Sequence, residues 1–166
     1  MKKTTSLLLN FLFLFLLISC GGSRTDSRVY DVRDYGATGD GKTDDAAAIQ
    51  RAIDECAAAG GGQVLFPQGY TFLSGPLSLA SNIEYHFETE SRLLANPIES
   101  IYTLSAFGEN RGEGMMWLYA KDVKNISFTG MGTIDGNGVA FMGAELYDSY
   151  ELKPVTDFDP RPHVLT

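Results

Sequence analysis

Hydrophobic positions after residue 28 follow a helical period in one segment and a strand-like pattern elsewhere. The helical segment predicts a single α-helix over about 44–59, because its apolar residues recur three and four positions apart: Ile49, Ala52, Ile53 and Cys56. Thr43 or Asp44 is placed to cap the first turn of this helix, and the three glycines at 60–62 are placed to end it.

The rest of the chain has the pattern of short strands separated by turns that contain glycine or proline. One strand is expected just before the glycine-rich segment 36–43. Further strands are expected over 63–66, 70–73, 77–79, 82–88 and 115–120, and around 123–128 ahead of the glycine-rich segment 130–138. The segment 82–88 alternates most cleanly, with Ile83, Tyr85 and Phe87 on one face.

A weak internal repeat indicates how these strands are arranged. Asn-Ile-x-aromatic begins at Asn82 and again at Asn125, 43 residues later, which is about two coils of a solenoid with roughly 20–25 residues per coil. Short strands, glycine turns and no second helix favour an all-β fold, a right-handed parallel β-helix. We expect the single N-terminal helix to cover its open end, where unpaired backbone is a liability.

The first residues have the organisation of a bacterial secretion signal. Two lysines precede an apolar core over 7–18, which at about 1.5 Å per residue is too short to span about 30 Å of hydrocarbon. The core ends in Leu-Ile-Ser-Cys20, which resembles a lipoprotein signal; the alternative is an ordinary secretion signal with an incidental cysteine. We expect a signal peptide over 1–19, a flexible tether over 20–28, a membrane anchor through a lipid on Cys20 and a bacterial cell-envelope location. Residues 29–166 are then expected to form part of one β-helix domain.

Charge excludes one class of partner. The 166 residues carry a formal net charge of −8 and no run of basic residues. Nucleic-acid binding needs clustered Lys and Arg to neutralise phosphates, so we expect no nucleic-acid partner.

The segment 36–43 matches the phosphate-loop spelling Gly-x-x-x-x-Gly-Lys-Thr between a strand and a helix. Asp40, Asp44 and Asp45 surround the single Lys42, and carboxylates at a helix start compete with a phosphate for the same positive end. We therefore expect no bound nucleotide.

Three blocks of sequence carry a family resemblance. They are the segment 35–53 around Gly-Asp-Gly-Lys-Thr-Asp-Asp, the segment 60–83 with Gly-Gly-Gly-Gln-Val-x-Phe-Pro-x-Gly, and the segment 125–138, Asn-Ile-Ser-Phe-x-Gly-x-Gly-Thr-Ile-Asp-Gly-Asn-Gly. With Arg161 and Pro162, they resemble glycoside hydrolase family 28, the polygalacturonases, within the pectate-lyase-like β-helix superfamily. Several β-helix enzymes share the first two blocks, and the third narrows the resemblance to the hydrolases.

The resemblance implies hydrolysis of galacturonan bonds in pectin-type polysaccharide with inversion, by paired aspartates and without an organic cofactor. The family's motifs Asn-Thr-Asp, Gly-His-Gly and Arg-Ile-Lys do not occur in these 166 residues, and the Asp44–Asp45 pair lies at a helix start. We therefore assign no catalytic residue, expect the catalytic aspartates beyond Thr166, and expect the 166 residues by themselves to be inactive. Two alternatives stay open: a polysaccharide lyase or epimerase of the same superfamily, and a non-catalytic β-helix that binds glycan or serves as an adhesin.

Other side chains are weaker candidates for sites. Cys56 lies on the apolar stripe of the helix and is expected to be a small buried hydrophobe. Glu84, His86 and Glu88 share a strand face and Asp135 and Asn137 share a glycine turn, but solvent exposure and turn formation explain them better than a metal. Aromatic residues that could stack on sugar rings are Trp117, Tyr119 and Phe141. Tyr147, Tyr150 and Phe158 lie in an acidic stretch that we interpret as a loop insertion.

Overall fold

The structure is a computed structural model that describes residues 28–103, 115–145 and 152–154, with only the backbone of 142–145 and 152–154. Twelve strands are found in these residues. In chain order they are β1 (Val29–Asp31), β2 (Asp40–Asp44), β3 (Gly62–Phe66), β4 (Thr71–Ser74), β5 (Leu77–Ser78), β6 (Ile83–Phe87), β7 (Arg92–Ala95), β8 (Leu118–Tyr119), β9 (Ser127–Gly130), β10 (Thr133–Asp135), β11 (Met142–Glu145) and β12 (Leu152–Pro154). One α-helix, α1 (Ala46–Ala58), separates β2 from β3, and short 3₁₀ turns occupy Val32–Tyr35, Glu99–Ile101 and Gly138–Phe141.

Ten of these strands form three parallel sheets that the chain visits in rotation. The first sheet has the order β1-β3-β6-β9, the second has the order β2-β4-β7-β10, and the third pairs β5 with β8. The circuits β3-β4-β5 and β6-β7-β8 each add one strand to every sheet, and this stacking confirms the predicted parallel β-helix. The hairpin of β11 and β12 is antiparallel and stands outside this pattern.

The coils differ in length, which corrects the interpretation of the internal repeat. Gly62 pairs with Ile83, so the coil that begins at β3 takes 21 residues. Tyr85 pairs with Phe128, so the next coil takes 43. The separation of Asn82 and Asn125 is thus one coil, and the prediction of two was wrong. The excess lies between β7 and β8, which are joined by residues 96–117, whereas residues 75–76 join β4 to β5.

The two repeated asparagines stack on each other between coils. Asn82 and Asn125 both have left-handed backbone, with φ of 63° and 56°. The side-chain amide of Asn125 donates to Asn82 Oδ1 at 2.9 Å. Asparagine tolerates this conformation better than most residues, so the repeat marks the corner at which the chain enters the first sheet.

Aromatic side chains stack along the inside of the first sheet. Phe66 and Phe87 are register partners, with ring centroids 4.3 Å apart. Tyr85 and Phe128 are partners in the next pair of coils, with centroids 5.3 Å apart. Such pairs contribute about 0.5–1.5 kcal/mol each beyond the burial of their area. Burial also raises the pKa of Tyr85 to about 12.

Helix α1 packs its apolar stripe against the first coil, as predicted. Its buried residues contact the Val32–Tyr35 turn, β1 and β3, and they are Ala48, Ile49, Ala52, Ile53 and Cys56. Asp45 holds the N-cap position, while the adjacent Asp44 accepts a hydrogen bond from the amide of Ala46. The helix ends at Ala59, where the amide of Gly61 donates to the carbonyl of Cys56. In the described part of the chain, no helix is long and apolar enough to cross a bilayer.

Three strands of the second sheet were not predicted. β2 and β10 lie inside glycine-rich segments that indicated turns, and β7 is the short stretch Arg92–Ala95. Glycine is unfavourable in isolated strands, but β2 pairs with β4 and β10 pairs with β7, and this pairing holds each segment along one edge of the sheet. The apolar run 115–120 also contains only a two-residue strand, β8.

Gly130 provides a sharp test of the coil stacking. Its φ is 97°, and a Cβ there would overlap the carbonyl oxygen of Phe87 in the coil below. We expect Gly130→Ala to lower the free energy of unfolding by about 3 kcal/mol or more, because conformational strain and steric overlap add. Gly69→Ala is the matched control, since Gly69 has φ of 80° with open space around it, and about 1–2 kcal/mol is expected there. Equal losses in urea denaturation would contradict the stacked arrangement.

Candidate functional site

The glycine-rich turn at 36–43 binds a carboxylate of its own chain. Asp45 is only 2% exposed, and its Oδ1 and Oδ2 accept hydrogen bonds from the amides of Thr38 and Gly39 at 2.6 and 2.9 Å. A buried carboxylate needs such donors, because an unpaired buried charge is strongly unfavourable. These bonds fix the turn against the start of α1.

The amides in the second half of the same turn also bind a carboxylate of the chain, that of Asp40. Asp40 Oδ1 accepts from the amides of Lys42 and Thr43 at 2.8 and 2.7 Å, and its Oδ2 accepts from the Thr43 hydroxyl. The hydrogen bonds from the Thr43 and Lys42 amides hold the pKa of Asp40 below its usual value. The amides that a phosphate would require thus already bind carboxylates, and the segment 36–43 works as a structural turn.

Asp44 links three coils at the far end of the second sheet. Its Oδ2 accepts from the side-chain amide of Asn96 at 2.7 Å, and Oδ1 also faces the amide of Gly75 at 3.4 Å. The hydroxyl of Tyr102 donates to the carbonyl of Asn96 at 2.7 Å. This cluster anchors the base of the long connection between β7 and β8.

The outer face of the second sheet carries one ion pair between coils. Arg92 in β7 donates to Asp135 in β10, and Asp135 Oδ1 accepts from the amide of Asn137 at 2.7 Å. The Asn137 amide and the Arg92 guanidinium lower the pKa of Asp135. The side-chain amide of Asn137 donates to the carbonyl of Ala95 at 2.9 Å. Asp135 and Asn137, the two residues weighed as metal ligands, therefore stabilise the turn and attach it to the coil below.

The outer face of the first sheet carries a relay of three side chains. The Thr129 hydroxyl donates to Glu84 Oε1 at 2.6 Å, and His86 Nδ1 lies 2.7 Å from the same hydroxyl oxygen. Threonine has a single hydroxyl hydrogen, so His86 Nδ1–H is the donor to Thr129. The hydrogen bond from Thr129 is the largest cause that lowers the pKa of Glu84, followed by that from Gln63.

A depression of about 280 Å³ lies beside this relay, where the first sheet turns into the second. We call it the corner depression, and it is lined by Gln68, the segment 86–89, Gly130 and Met131. Glu88 Oε2 accepts from the amide of Gln68 at 2.8 Å, which fixes one wall. The sequence placed Glu84 and His86 on one strand face correctly, whereas Glu88 follows the end of β6. It did not indicate that Thr129 and Met131 would lie beside them.

The remaining candidates are mostly packed into the core. Cys56 and Trp117 are fully buried, and Phe141 is buried against Tyr102 with ring centroids 6.0 Å apart. Burial raises the pKa of the Cys56 thiol, which disfavours the thiolate that a nucleophile requires. Tyr119 is half-buried. Trp117 and Phe141 are therefore closed to a sugar.

Several predicted features lie outside the described residues. These are the signal peptide, Cys20, the aromatic residues at 147, 150 and 158, and the Arg161–Pro162 motif with His163. Within residues 28–103 and 115–141, no group of three or more His, Cys, Asp and Glu side chains converges as metal ligands would. We still assign no catalytic residue, since Asn-Thr-Asp does not occur in this sequence and the Asp44–Asp45 pair, at the start of α1, binds backbone amides.

The sequence of this chain is similar to those of known β-helix proteins. Residues 29–85 match a sequence family described as "Rhamnogalacturonase A/epimerase, pectate lyase-like". A probable polygalacturonase of Arabidopsis thaliana is 32% identical over 139 residues, which are 83% of this chain and 28% of that protein. A mannuronan C5-epimerase of Azotobacter vinelandii is 59% identical over 46 residues, which are 28% of this chain and 5% of the epimerase.

Solved structures show the same coils. An exopolygalacturonase of Thermotoga maritima superposes with a TM-score of 0.59 at 34% identity, over 67% of this chain and 25% of the enzyme. A surface adhesin of Streptococcus pneumoniae superposes with a TM-score of 0.53 at 34% identity, over 71% of this chain and 26% of the adhesin. The resemblance to glycoside hydrolase family 28, within the pectate-lyase-like β-helix superfamily, is confirmed. The chain spans about a quarter of the length of these polygalacturonases.

The relay makes a prediction about pH. Thr129→Val removes the hydrogen bond that most lowers the pKa of Glu84, so that pKa should rise toward its ordinary value. A lowered folded-state pKa contributes stability above the unfolded pKa and loses it as pH falls through the folded pKa, so the variant should show a smaller stability loss over that acidic window. Carboxyl ¹³C titration by NMR measures the shift. Thr133→Val, at an exposed position of β10, is the control, and an unchanged Glu84 titration in Thr129→Val would refute the relay.

Proposed function

We propose that this chain is part of a glycoside hydrolase that cleaves galacturonan bonds in pectin-type polysaccharide with inversion of configuration. The observation that carries the proposal is the extent of the polygalacturonase match, 139 residues and 83% of the chain. The match to the epimerase spans 46 residues, so it supports a shared stretch rather than a shared activity.

The coil geometry suits the pair of carboxylates that inversion needs. An inverting hydrolase holds its acid and its base about 6.5–9.5 Å apart, which leaves room for a water molecule on the opposite face of the sugar. Parallel strands are about 4.8 Å apart, so outward side chains on neighbouring coils can reach such a separation. Arg92 and Asp135 show that outward side chains of adjacent coils already meet across the second sheet. We propose that the catalytic aspartates lie on coils formed beyond Thr166.

The charge of the chain supports placing substrate binding, like the catalytic aspartates, on coils beyond Thr166. Galacturonate is anionic and requires cationic partners, whereas the chain has a net charge of −8. Arg92 is committed to Asp135, and Arg51 donates to the carbonyl of Tyr35 at 2.6 Å. We propose that the cations that recognise uronate carboxylates also belong to the coils beyond Thr166.

The activity is tested with the complete reading frame to which these residues belong, extended past the codon for Thr166. We expect the extended protein to release reducing ends from polygalacturonate, and the first product seen by ¹H NMR to have the inverted anomeric configuration. The 166-residue chain and a mock preparation serve as controls and should release none. An unsaturated uronate product would identify a lyase, altered uronate configuration without cleavage an epimerase, and glycan retention without reaction a binding protein.

We further propose that the protein is held in the bacterial cell envelope by a lipid on Cys20. The support is the order of basic start, short apolar core and Leu-Ile-Ser-Cys ahead of a stretch of small residues. Cells grown with an alkyne-labelled fatty acid should transfer the label to the wild-type protein and not to Cys20→Ser. Cys56→Ser is the control that should keep the label, and label on the Cys20→Ser protein would exclude this anchor.

A further inference from the structure

The corner depression has the shape and the polar groups of a small ligand site. It is formed where β6 and β9 end, and Gly130 keeps its floor at the level of the backbone because a side chain there would overlap Phe87. Its volume of about 280 Å³ is just below about 300 Å³, the lower limit for typical small-molecule pockets. The depression therefore suits a ligand of the size of a single sugar ring.

The polar groups of the depression offer both donors and acceptors. Thr129 takes the Nδ1–H of His86, so Nε2 is the ring nitrogen left for a ligand. Glu88 uses Oε2 for the Gln68 amide and keeps Oε1 as an acceptor, while Gln68 and Thr89 are exposed and add side-chain donors. A ligand rich in hydroxyl groups matches such a mixed set.

An apolar surface completes the depression. The side chain of Met131 is 80% exposed although it follows the strand β9 directly. Methionine is polarizable and adaptable, so it can pack against the carbon face of a sugar ring. Hydroxyls at one edge and carbon–hydrogen groups on the face are the two features that a pyranose presents.

The charge of the depression decides which sugar fits. Glu88 lines it, Glu84 lies on the same strand face next to His86, and none of the lining residues is Lys or Arg. A carboxylate brought to this site would meet like charge with no cation to offset it. We propose that the corner depression binds a neutral pyranose and discriminates against a uronate.

This inference goes beyond the proposed hydrolysis, because it concerns binding on the described coils and needs no turnover. The probes are methyl α-D-galactopyranoside and methyl α-D-galactopyranosiduronate, which differ only at C6. Titrated into the ¹⁵N-labelled 166-residue chain at pH 7 and low salt, the galactoside should shift the amides of Thr89, Gly130 and Met131 with a dissociation constant of about 1–10 mM. The galactosiduronate should bind at least about fivefold more weakly.

Two variants separate the contributions. Glu88→Gln keeps an oxygen for the Gln68 amide and removes the charge, so it should bring the two affinities to within about twofold. Met131→Ser should weaken galactoside binding about fivefold, whereas Val139→Ser, at a position that is 73% exposed and does not line the depression, should leave it unchanged. Dispersed spectra of each variant establish that it is folded.

Three results would overturn the proposal. They are the absence of saturable shifts with the galactoside, binding of the galactosiduronate as tightly as the galactoside, and a saturable response of the same amides to CaCl₂ when neither sugar produces one. Each result leaves the polygalacturonate assay of the extended protein unaffected, so failure of this site and failure of the proposed hydrolysis are distinguishable.

Discussion

Stacking of side chains between successive coils is the constraint on which the rest of the structure depends. In a parallel sheet the inward residue of one strand lies on the inward residue of the next, and here Phe66 lies on Phe87 and Tyr85 on Phe128. The same register brings backbone so close that Gly130 can carry no side chain over Phe87. Inward positions are thereby fixed by packing, and only outward positions and the connections between strands are left to carry chemistry.

The glycine-rich turn shows that a sequence motif can match the spelling of a phosphate loop and still have a purely structural role. A phosphate loop and this turn share a spelling, because both aim several backbone amides at one anion. In this chain the anions are Asp45 and Asp40, which bind the amides of residues 38–39 and 42–43. The segment therefore uses the chemistry of anion binding to hold residues 38–39, just before β2, against the start of α1. Its acidic composition, which first argued against a nucleotide, is also what stabilises the turn.

The sequence predicted the elements that local patterns specify. It failed where pairing between coils determines whether a segment forms a strand. The period of α1 and the alternation of β6 were sufficient to place both, whereas β2, β7 and β10 are strands because their neighbours pair with them. The 43-residue repeat was found correctly but interpreted as two coils, since nothing local indicates how many residues separate β7 from β8. For the same reason the sequence could place Glu84 and His86 on one face but not Thr129, which reaches them from the next coil.

Packing constrains the inward residues of the coils but not the outward ones, and this difference explains why similar coils occur in proteins of different activity. A polygalacturonase and a streptococcal surface adhesin both superpose on these coils at 34% identity, so the shared residues report packing more than chemistry. Differences in function must then lie in outward side chains and in the connections, which packing leaves free. Among the outward groups of the described coils, Arg92 is paired with Asp135, while His86 and Glu88 line the corner depression. Packing therefore leaves one face of each coil free to differ, so the coils that these proteins share do not by themselves specify an activity.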